Sequence, residues 1–593
     1  MRIGLLTDGG YPYATGESRL WCDRLVRGLA QHEFDLFALS RSAEQEAQGW
    51  VRLPAQVSSV RTAPLWTADE EALGLHAPRG PLARLLTGGG ARAYARRERR
   101  LFATHFTDLA ASLCGAADTG RGEPDTGVGK SGGRTEGGAG RPLDERFTRG
   151  LYGLAELACE HGGLPAALRS ETAVRILEAA CRAPGTGRTV QTATVADLLA
   201  FTAELDRALR PLSLDWYDED GLGGVDLCHA TAGGTAALPG LLAKRFFGVP
   251  LLVTEHAVRV RAHYLSSGGA PVSAPVRALL ANLHGRLATE VYRQAALITP
   301  GNTHARRWQE RCGADPAKLR TVYPGMESTR FAGLGESEDD GGPDTLVWVG
   351  RIEPAKDLVA LLNAFAEVRL AEPAARLRII GAPAPGPAGA DYLERCRALA
   401  AQLFPDEASD PHQAGEGPVT FEEIGGPEVP DLARAYAAGG VVVLSSVVEG
   451  FPISLVEAMF CGRATVSTDV GAVVEVIGGT GLVVPPRNPR ALADACIALL
   501  RDPERRARLG AAARARALEL FTVEQNLAAF RGIYLDLIAQ APVRERPLPA
   551  ADDAPRPFAT PPEVHVRDHW PDPVDRERTD RTPSWAGAGG GDA

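Results

Sequence analysis

The chain has 593 residues, which is enough for two or three domains of ordinary size. Hydrophobic residues make up 45% and charged residues 23%, as in ordinary globular proteins, and the net charge of −10 gives no reason to expect nucleic acid or an acidic membrane as a partner. No segment approaches the roughly 20 consecutive apolar residues of a membrane span. The apolar run at the start of the chain is broken at Asp8, which is not expected in a signal peptide. The nine cysteines form no CxxC pair. A cytoplasmic protein without a metal is therefore expected.

The first forty residues predict the start of a parallel sheet. Strands are expected at 2–6 and 34–39, with a glycine-containing loop and a helix over 19–29 between them. This order of strand, loop, helix and strand is typical of a doubly wound α/β fold.

Residues 41 to about 220 have a mostly helical pattern and predict a large helical insertion in an N-terminal domain that covers 1–332. Within the insertion, residues 115–141 are rich in Gly, Asp, Thr and Arg and predict a disordered loop. The alternation of strands and helices then resumes, with strands expected at 226–229, 251–254, 296–299 and 321–323.

An acidic, glycine-rich stretch at 333–344 predicts a linker to a second, C-terminal domain over 345–540. Strands are expected there at 345–349, 377–380, 419–421, 441–444, 464–466 and 482–484. The last helix is expected to pack back on the N-terminal domain, and the proline-rich residues 541–593 predict a disordered tail. Two Rossmann-like domains would thus face each other across a cleft.

The segment from Glu449 to Glu457 carries the most information about function. The apolar run at 441–444 predicts a buried strand that ends just before it, so Glu449 would lie at the carboxyl edge of the sheet, where open α/β folds bind ligands. Glu457 would lie about one helical turn further on, within reach of sugar hydroxyls, while the amides of Phe451–Ser454 at the helix start favour a diphosphate. The alternative is a capped surface helix with two solvated glutamates.

Three further residues are candidates for the chemistry. Arg351 and Lys356 follow the first strand of the second domain and supply the cations that departing phosphates need. His256 ends a strand of the first domain, where a neutral imidazole would contact the sugar or the acceptor hydroxyl. The alternatives are an exposed basic pair near a helix start and a structural histidine.

Two other motifs are set aside. Gly127–Ser131 resembles the end of a phosphate-binding loop, but Pro124 replaces the first glycine and no strand leads into it. Asp218–Asp220 spells the DxD of metal-dependent sugar transferases, yet it lies in a polar loop and is interpreted as solvated.

The motifs together resemble a known family. Glu449…Glu457, Gly350-Arg351…Lys356, Thr468–Gly471 and Gly481–Pro485 are similar to those of a family-4 retaining glycosyltransferase with the GT-B fold. The opening Thr7–Leu29, with Thr254-Glu-His256, resembles the PelF-type branch associated with Pel exopolysaccharide synthesis, which also carries a long helical insertion.

The resemblance implies roles for individual residues. Arg351 and Lys356 would hold the donor diphosphate. Glu457 would bind the ribose, Glu449 would bind the donor sugar, and His256 would lie beside the reacting centre. The catalytic candidates are therefore His256, Arg351, Lys356 and Glu449. The full donor-binding set would be Gly16, Gly350, Arg351, Lys356, Glu449, Gly450, Phe451, Pro452, Ile453, Ser454 and Glu457. No metal or other cofactor would be needed, because the departing phosphate itself helps to deprotonate the acceptor.

Two departures from the family pattern bear on activity. The opening loop has Gly16-Glu17 where the family usually has two glycines, and a carboxylate beside the diphosphate would repel the donor unless it turned outward. The usual Pro-Asn-Gly turn before the linker is replaced by Pro324-Gly325.

The sequence therefore predicts transfer of a hexose, with retention, from a nucleoside diphosphate sugar to a carbohydrate or lipid-linked acceptor. UDP-glucose is the first expectation for the donor, and a membrane-bound polysaccharide synthesis complex is a candidate partner. The alternatives are a GT-B epimerase acting on UDP-N-acetylglucosamine and a non-catalytic nucleotide-sugar-binding subunit of such a complex.

Overall fold

The computed structural model describes residues 1–14, 18–66, 94–115, 142–265, 272–333, 342–405, 417–427 and 429–541. These residues form two parallel sheets of six strands. The first contains β1 (Arg2–Asp8), β2 (Glu33–Ser40), β3 (Val57–Pro64), β4 (Leu227–Ala230), β5 (Leu251–Glu255) and β6 (Leu297–Pro300). The second contains β7 (Gly342–Val349), β8 (Arg376–Ile380), β9 (Val419–Glu422), β10 (Gly439–Leu444), β11 (Ala464–Thr468) and β12 (Leu482–Val484).

Both sheets have the same strand order. The first is arranged β3-β2-β1-β4-β5-β6 and the second β12-β11-β10-β7-β8-β9, so that in each the first strand lies between the second and the fourth. This is the doubly wound order of a Rossmann fold, whose ligand crevice opens between the first and fourth strands. The prediction of two Rossmann-like domains is confirmed.

Helices connect the strands. In the first half of the chain they are α1 (Arg19–Gly28), α2 (Ala43–Ala47), α3 (Arg96–Cys114), α4 (Leu143–His161), α5 (Leu164–Leu168), α6 (Glu171–Cys181), α7 (Arg188–Gln191), α8 (Val195–Leu209), α9 (Leu238–Phe247), α10 (Arg259–Leu265), α11 (Ala274–Gln294) and α12 (Thr303–Arg311). In the second half they are α13 (Leu358–Ala371), α14 (Pro387–Leu403), α15 (Leu432–Ala437), α16 (Ile453–Phe460), α17 (Val473–Ile477), α18 (Pro489–Leu500), α19 (Pro503–Leu520) and α20 (Val523–Gln540). Among all of these, none is both long and apolar enough to cross a membrane.

Apart from the edge strand β3, the strands of the first sheet are buried on both faces. Alternate residues such as Leu6 and Phe37 join a large core with the helices α3, α4, α6, α8, α9 and α11. Their neighbours, Leu5 and Leu36 among them, face a smaller core with α1 and α20. Burial on both faces explains why these strands appear in the sequence as nearly continuous apolar runs.

The second sheet is covered in the same way. Trp348 and Val443 pack beneath α13, α14 and α18, whereas Val347 and Val442 pack beneath α16 and α19.

The last helix, α20, packs on the first domain. Phe530 and Tyr534 lie in the core beneath β1, and the hydroxyl of Tyr534 lies 2.7 Å from Nδ1 of the buried His229. Just before α20, Met326 and Thr522 form a parallel bridge, with the amide of Met326 donating to the carbonyl of Phe521 at 2.8 Å. The chain therefore crosses between the two domains twice, at neighbouring places.

Two predicted elements differ from the structure. The stretch 41–220, predicted to be mostly helical, also contains β3, which extends the first sheet beside β2. No strand forms at 321–323: β6 ends at Pro300, and only the amides of Arg320 and Val322 donate to it. Almost all of the predicted loop 115–141, residues 334–341 of the predicted linker and residues 542–593 of the predicted tail lie outside the described residues.

Candidate donor site at the edge of the second sheet

The candidate site lies where β7 and β10 end side by side, at the crevice of the second sheet. Gly350 and Arg351 follow β7, and the loop with Glu449 follows β10. The amide of Gly350 donates to the carbonyl of Ile380 at 3.1 Å, and a Cβ at Gly381 would lie 1.8 Å from the carbonyl oxygen of Gly350. Gly381, which follows β8, thus allows the chain after β7 to approach the end of β8 closely, while the side chain of Arg351 is exposed to solvent.

Lys356 and Glu449 form an ion pair across this crevice. The ammonium of Lys356 contacts Oε1 of Glu449, which also accepts from the hydroxyl of Ser446 at 2.7 Å. Their side chains are only 18% and 10% exposed, so water screens the pair poorly. The hydroxyl of Ser445 donates to the carbonyl of Lys356 at 2.7 Å and holds the lysine's backbone against the end of β10.

A glycine in the next loop supports the backbone of Glu449. Gly471 has a φ of +59°, and a Cβ there would lie 2.6 Å from the carbonyl oxygen of Glu449 and 2.7 Å from that of Gly450. The amide of Ala472 donates to the Gly450 carbonyl at 3.0 Å. A residue with a side chain at 471 would be strained and would push this loop away.

Helix α16 begins at Ile453, within the segment Phe451–Ser454 whose amides were expected to face an anion. Pro452 has no amide hydrogen, and the amide of Ile453 donates to the carbonyl of Phe451 at 3.0 Å. Two of the four amides that were expected to be free at Phe451–Ser454 are therefore not available to an anion. The ring of Phe451 instead packs edge-on against Phe521, with centroids 5.7 Å apart.

Glu457 lies one turn inside α16 and is largely buried. Its Oε2 accepts a hydrogen bond from the hydroxyl of Tyr436 at 2.8 Å. Burial raises the pKa of Glu457, and the hydrogen bond from Tyr436 and the charge of Arg330 oppose that increase. The carboxylate is thus held in place on one side by Tyr436.

His256 lies in the first domain, in the loop between β5 and α10. Both ring nitrogens are buried and have no hydrogen-bond partner among the described residues. The ring packs edge-on against Trp21, with centroids 5.4 Å apart, and burial lowers the pKa of His256 to about 4. An imidazole with two unsatisfied nitrogens is costly in a folded protein, and such costs concentrate at functional sites.

The residue before it, Glu255, organises this edge of the first sheet. Its Oε2 accepts from the hydroxyl of Tyr292 at 2.5 Å and from the side-chain amide of Gln309 at 3.1 Å. The backbone amides of Gly233 and Arg259 also donate to its carboxylate. Glu255 therefore fixes the loops that follow β4 and β5, a role that the sequence analysis did not assign.

Arg261 joins the two halves of the site. It lies on α10, five residues after His256, and its Nη2 donates to the backbone carbonyl of Glu449 at 2.8 Å. Arg261 belongs to no motif of the sequence, and its position five residues after Thr254-Glu-His256 is the one signal that points to it. Helix α10, which follows the His256 loop, is thereby hydrogen-bonded to the Glu449 loop.

Several predicted site residues are not placed by these contacts. Gly16 lies outside the described residues, as do Glu17 and Gly127–Ser131. Asp218 lies in a turn and forms an exposed ion pair of 3.5 Å with Arg61. The described part of the chain contains no group of three or more His, Cys, Asp or Glu side chains that could hold a metal ion.

The second domain matches a known family. Residues 343–502 match the family described as Glycosyl transferases group 1, and residues 1–106 and 144–317 match one described as Domain of unknown function (DUF3492). A D-inositol 3-phosphate glycosyltransferase of Acidothermus cellulolyticus is 31% identical over 362 residues, which are 58% of this chain and 72% of that protein. The protein of the same name from a Nocardioides species is 31% identical over 322 residues, 52% of this chain and 66% of that protein.

These matches and the two doubly wound sheets define a glycosyltransferase of the GT-B fold. The chain belongs to the group 1 glycosyltransferases. Among solved structures, sucrose-phosphate synthase from Thermosynechococcus elongatus is similar over 91% of this chain and 99% of that chain, with 18% identity and a TM-score of 0.49. The sequence matches identify the family, and the strand order of the two sheets identifies the fold.

Proposed function

We propose that the protein transfers a hexose, with retention of configuration, from a nucleoside diphosphate sugar to a carbohydrate or glycolipid-like acceptor. UDP-glucose is the donor that we propose to test first. The observation that carries the proposal is the pair of Lys356 and Glu449 at the crevice between β7 and β10, with Arg351 exposed beside it. A dinucleotide-type sheet with cations at this crevice suits a ligand that carries two phosphates.

Each candidate has a role in this reaction. Arg351 and Lys356 would stabilise the charge that grows on the diphosphate as it leaves, which is the largest requirement of the transfer. Glu449, held by Lys356 and Ser446, would accept hydrogen bonds from the donor sugar, and Glu457 from the ribose. His256 has a pKa of about 4 and is uncharged at neutral pH, so it would act as a hydrogen-bonding group beside the reacting carbon.

The acceptor and the biological setting belong to the same proposal. The curated relatives are named for D-inositol 3-phosphate, which makes that compound one acceptor to test. The resemblance of the first domain to the PelF-type branch supports exopolysaccharide synthesis, in contact with a membrane-bound polymerising complex.

Sugar release from a panel of nucleotide sugars tests the proposal. We expect release from one donor by the wild type and little release by Lys356→Ala. The matched control is Lys318→Ala, because Pro316-Ala-Lys318 forms the same short 3₁₀ turn as Pro354-Ala-Lys356. The ammonium of Lys318 donates to the carbonyl of Arg293 at 2.8 Å and forms no ion pair with the described residues.

Each outcome separates the proposal from its rivals. Silence across the panel with UDP still bound would favour a non-catalytic binding subunit. Conversion of the donor without release of sugar and without an acceptor would favour an epimerase.

A further inference from the structure

Two cysteine thiols meet in the core of the helical part of the first domain. Cys114 is the last residue of α3 and Cys181 the last residue of α6, and their Sγ atoms lie 3.5 Å apart. Both side chains are buried, whereas Cys159 on α4 is exposed. At this separation one thiol hydrogen-bonds the other, so the two residues form a pair and are not isolated core cysteines.

Hydrogen bonds fix the ends of both helices beside this pair. The side-chain amide of Asn282 on α11 donates to the carbonyl of Leu113 at 2.7 Å. The hydroxyl of Thr186 donates to the carbonyl of Ala180 at 3.0 Å, and Thr186 also forms an antiparallel bridge with Gly115. The residues next to each cysteine are therefore held in place, which keeps the two thiols in contact.

The two sulfur atoms are close enough for a covalent bond after a small movement. The sulfur atoms of a disulfide lie about 2.05 Å apart, so these two would approach each other by roughly 1.5 Å. The bond would join residues that are 67 positions apart in the chain. Cross-links that close long loops stabilise a fold mainly because they constrain the unfolded chain.

The two thiols differ in acidity. The hydrogen bond with Cys114 lowers the pKa of Cys181 against the effect of burial, and the charge of Arg182 adds to the decrease. The same hydrogen bond and burial raise the pKa of Cys114. Because the thiolate is the nucleophilic form of cysteine, Cys181 is the member of the pair that attacks an oxidant. Arg182, the residue that follows it, is exposed to solvent.

From this contact we infer that Cys114 and Cys181 form a reversible oxidation site, at which hydrogen peroxide converts the two thiols into a disulfide that links α3 to α6. The inference goes beyond the proposed function and does not depend on it. It adds a covalent modification that tightens the helical part of the first domain under oxidising conditions and is released by a dithiol reductant.

The reaction balances in two steps. The Cys181 thiolate attacks one oxygen of the peroxide, the O–O bond breaks, and the hydroxide that leaves takes up a proton to form water. The sulfur of Cys114 then attacks the sulfur of the resulting sulfenic acid, and the hydroxyl group leaves with the Cys114 proton as a second water molecule. The two thiols together lose two electrons, which reduce the peroxide.

Peptide mapping of the full-length protein tests the inference. The folded wild type is treated with hydrogen peroxide, its remaining thiols are blocked with N-ethylmaleimide, and it is digested with trypsin in the absence of reductant. Cys114 lies in the tryptic peptide 101–121 and Cys181 in the peptide 176–182. We expect these two peptides to be joined in most of the treated protein and to separate after treatment with dithiothreitol. We also expect the unfolding temperature of the linked protein to rise by about 5 °C.

Two variants distinguish the pair from general thiol oxidation. Cys181→Ala, treated in the same way, should give neither the joined peptides nor the rise in unfolding temperature. Cys159→Ala removes the exposed thiol on α4 and should retain both. Thermal unfolding of the untreated variants shows whether each of them folds.

Three results on the wild type would overturn the inference, and none of them requires a variant to fold. They are the absence of the joined peptides, their formation only after a denaturant is added, and an unchanged unfolding temperature in the linked protein. All of these measurements are made without a donor or an acceptor, so a failure of the proposed function leaves them unaffected.

Discussion

Arg261 of the first domain donates a hydrogen bond from its Nη2 to the backbone carbonyl of Glu449 in the second, at 2.8 Å. Burial lowers the pKa of Arg261, and the charge of Glu449 opposes that decrease. The contact fixes the main chain of Glu449, while Lys356 and Ser446 fix its carboxylate. The residue assigned to the donor sugar is therefore positioned from both domains.

Substitution of Arg261 should lower turnover more than donor affinity. In Arg261→Ala the loop of Glu449 loses its contact with the first domain, and misplacement of a catalytic group by a fraction of an ångström costs on the order of tenfold or more in rate. We expect kcat for sugar release to fall by about tenfold, with little change in the Kd of UDP.

The control is Arg306→Ala, which removes an arginine that, within the described part of the chain, forms an ion pair only with Glu310 on the same helix. Equal rates for Arg261→Ala and the wild type would show that the interdomain hydrogen bond does not position the loop.

The ion pair of Lys356 and Glu449 should also stabilise the ligand-free protein. Removal of one partner leaves the other poorly solvated and unpaired, and buried pairs broken in this way cost about 3 kcal/mol. We expect Glu449→Gln and Lys356→Ala each to lower the free energy of unfolding, and Lys356→Ala to lower turnover as well. Denaturant unfolding of the two single variants and the double variant measures the coupling.

A double variant that is less stable than the wild type by the full sum of the two single effects would contradict the expected coupling.

Every strand of the two sheets except β3 was predictable, because a strand buried on two faces forms an apolar run. β3 was missed because Ser58, Ser59 and Arg61 interrupt such a run at the edge of the sheet. The proximity of the segments after β7 and β10 followed from the rule that ligands bind at this crevice.

Contacts between distant segments could not be predicted in the same way. Arg261 and Glu449 are 188 residues apart, and nothing in local sequence pattern determines how two domains approach each other. The role of Glu255 was hidden for the same reason, since Tyr292 and Gln309 reach it from two later helices.

The loop of Glu449 should depend on a glycine at position 471. Gly471→Ala places a Cβ 2.6 Å from the Glu449 carbonyl oxygen at a φ of +59°, where residues with side chains cost on the order of 1–3 kcal/mol. We expect lower stability and reduced sugar release, measured by thermal unfolding and by the donor assay.

Gly479→Ala is the matched control for backbone strain, since Gly479 has a φ of +89° but no heavy atom within 4 Å of its Cβ position. A smaller loss of release in Gly471→Ala than in Gly479→Ala would contradict the steric explanation.

Glu457 should determine the affinity for UDP. We expect Glu457→Ala to weaken UDP binding, because the carboxylate is assigned to the ribose. Equal affinity for UDP in Glu457→Ala and in the wild type would rule that assignment out. In Tyr436→Phe the hydrogen bond that lowers the pKa of Glu457 is lost, so that pKa should rise further. The affinity for UDP would then decline at a higher pH than in the wild type, as titrations from pH 8 to pH 5 can show.

His256 should make the protein less stable in mild acid. Its pKa is about 4 in the folded state and about 6.5 when solvated, so between these values the unfolded chain binds the proton more tightly. Stability that is present above pH 6.5 is therefore lost as the pH falls toward 4, by up to roughly 3 kcal/mol for this residue. Denaturant unfolding of the wild type and His256→Gln at pH 7.5 and pH 5 measures this contribution. The difference in stability between the two pH values should be smaller in the variant, and an equal difference would show that His256 is protonated as readily in the folded protein as in water.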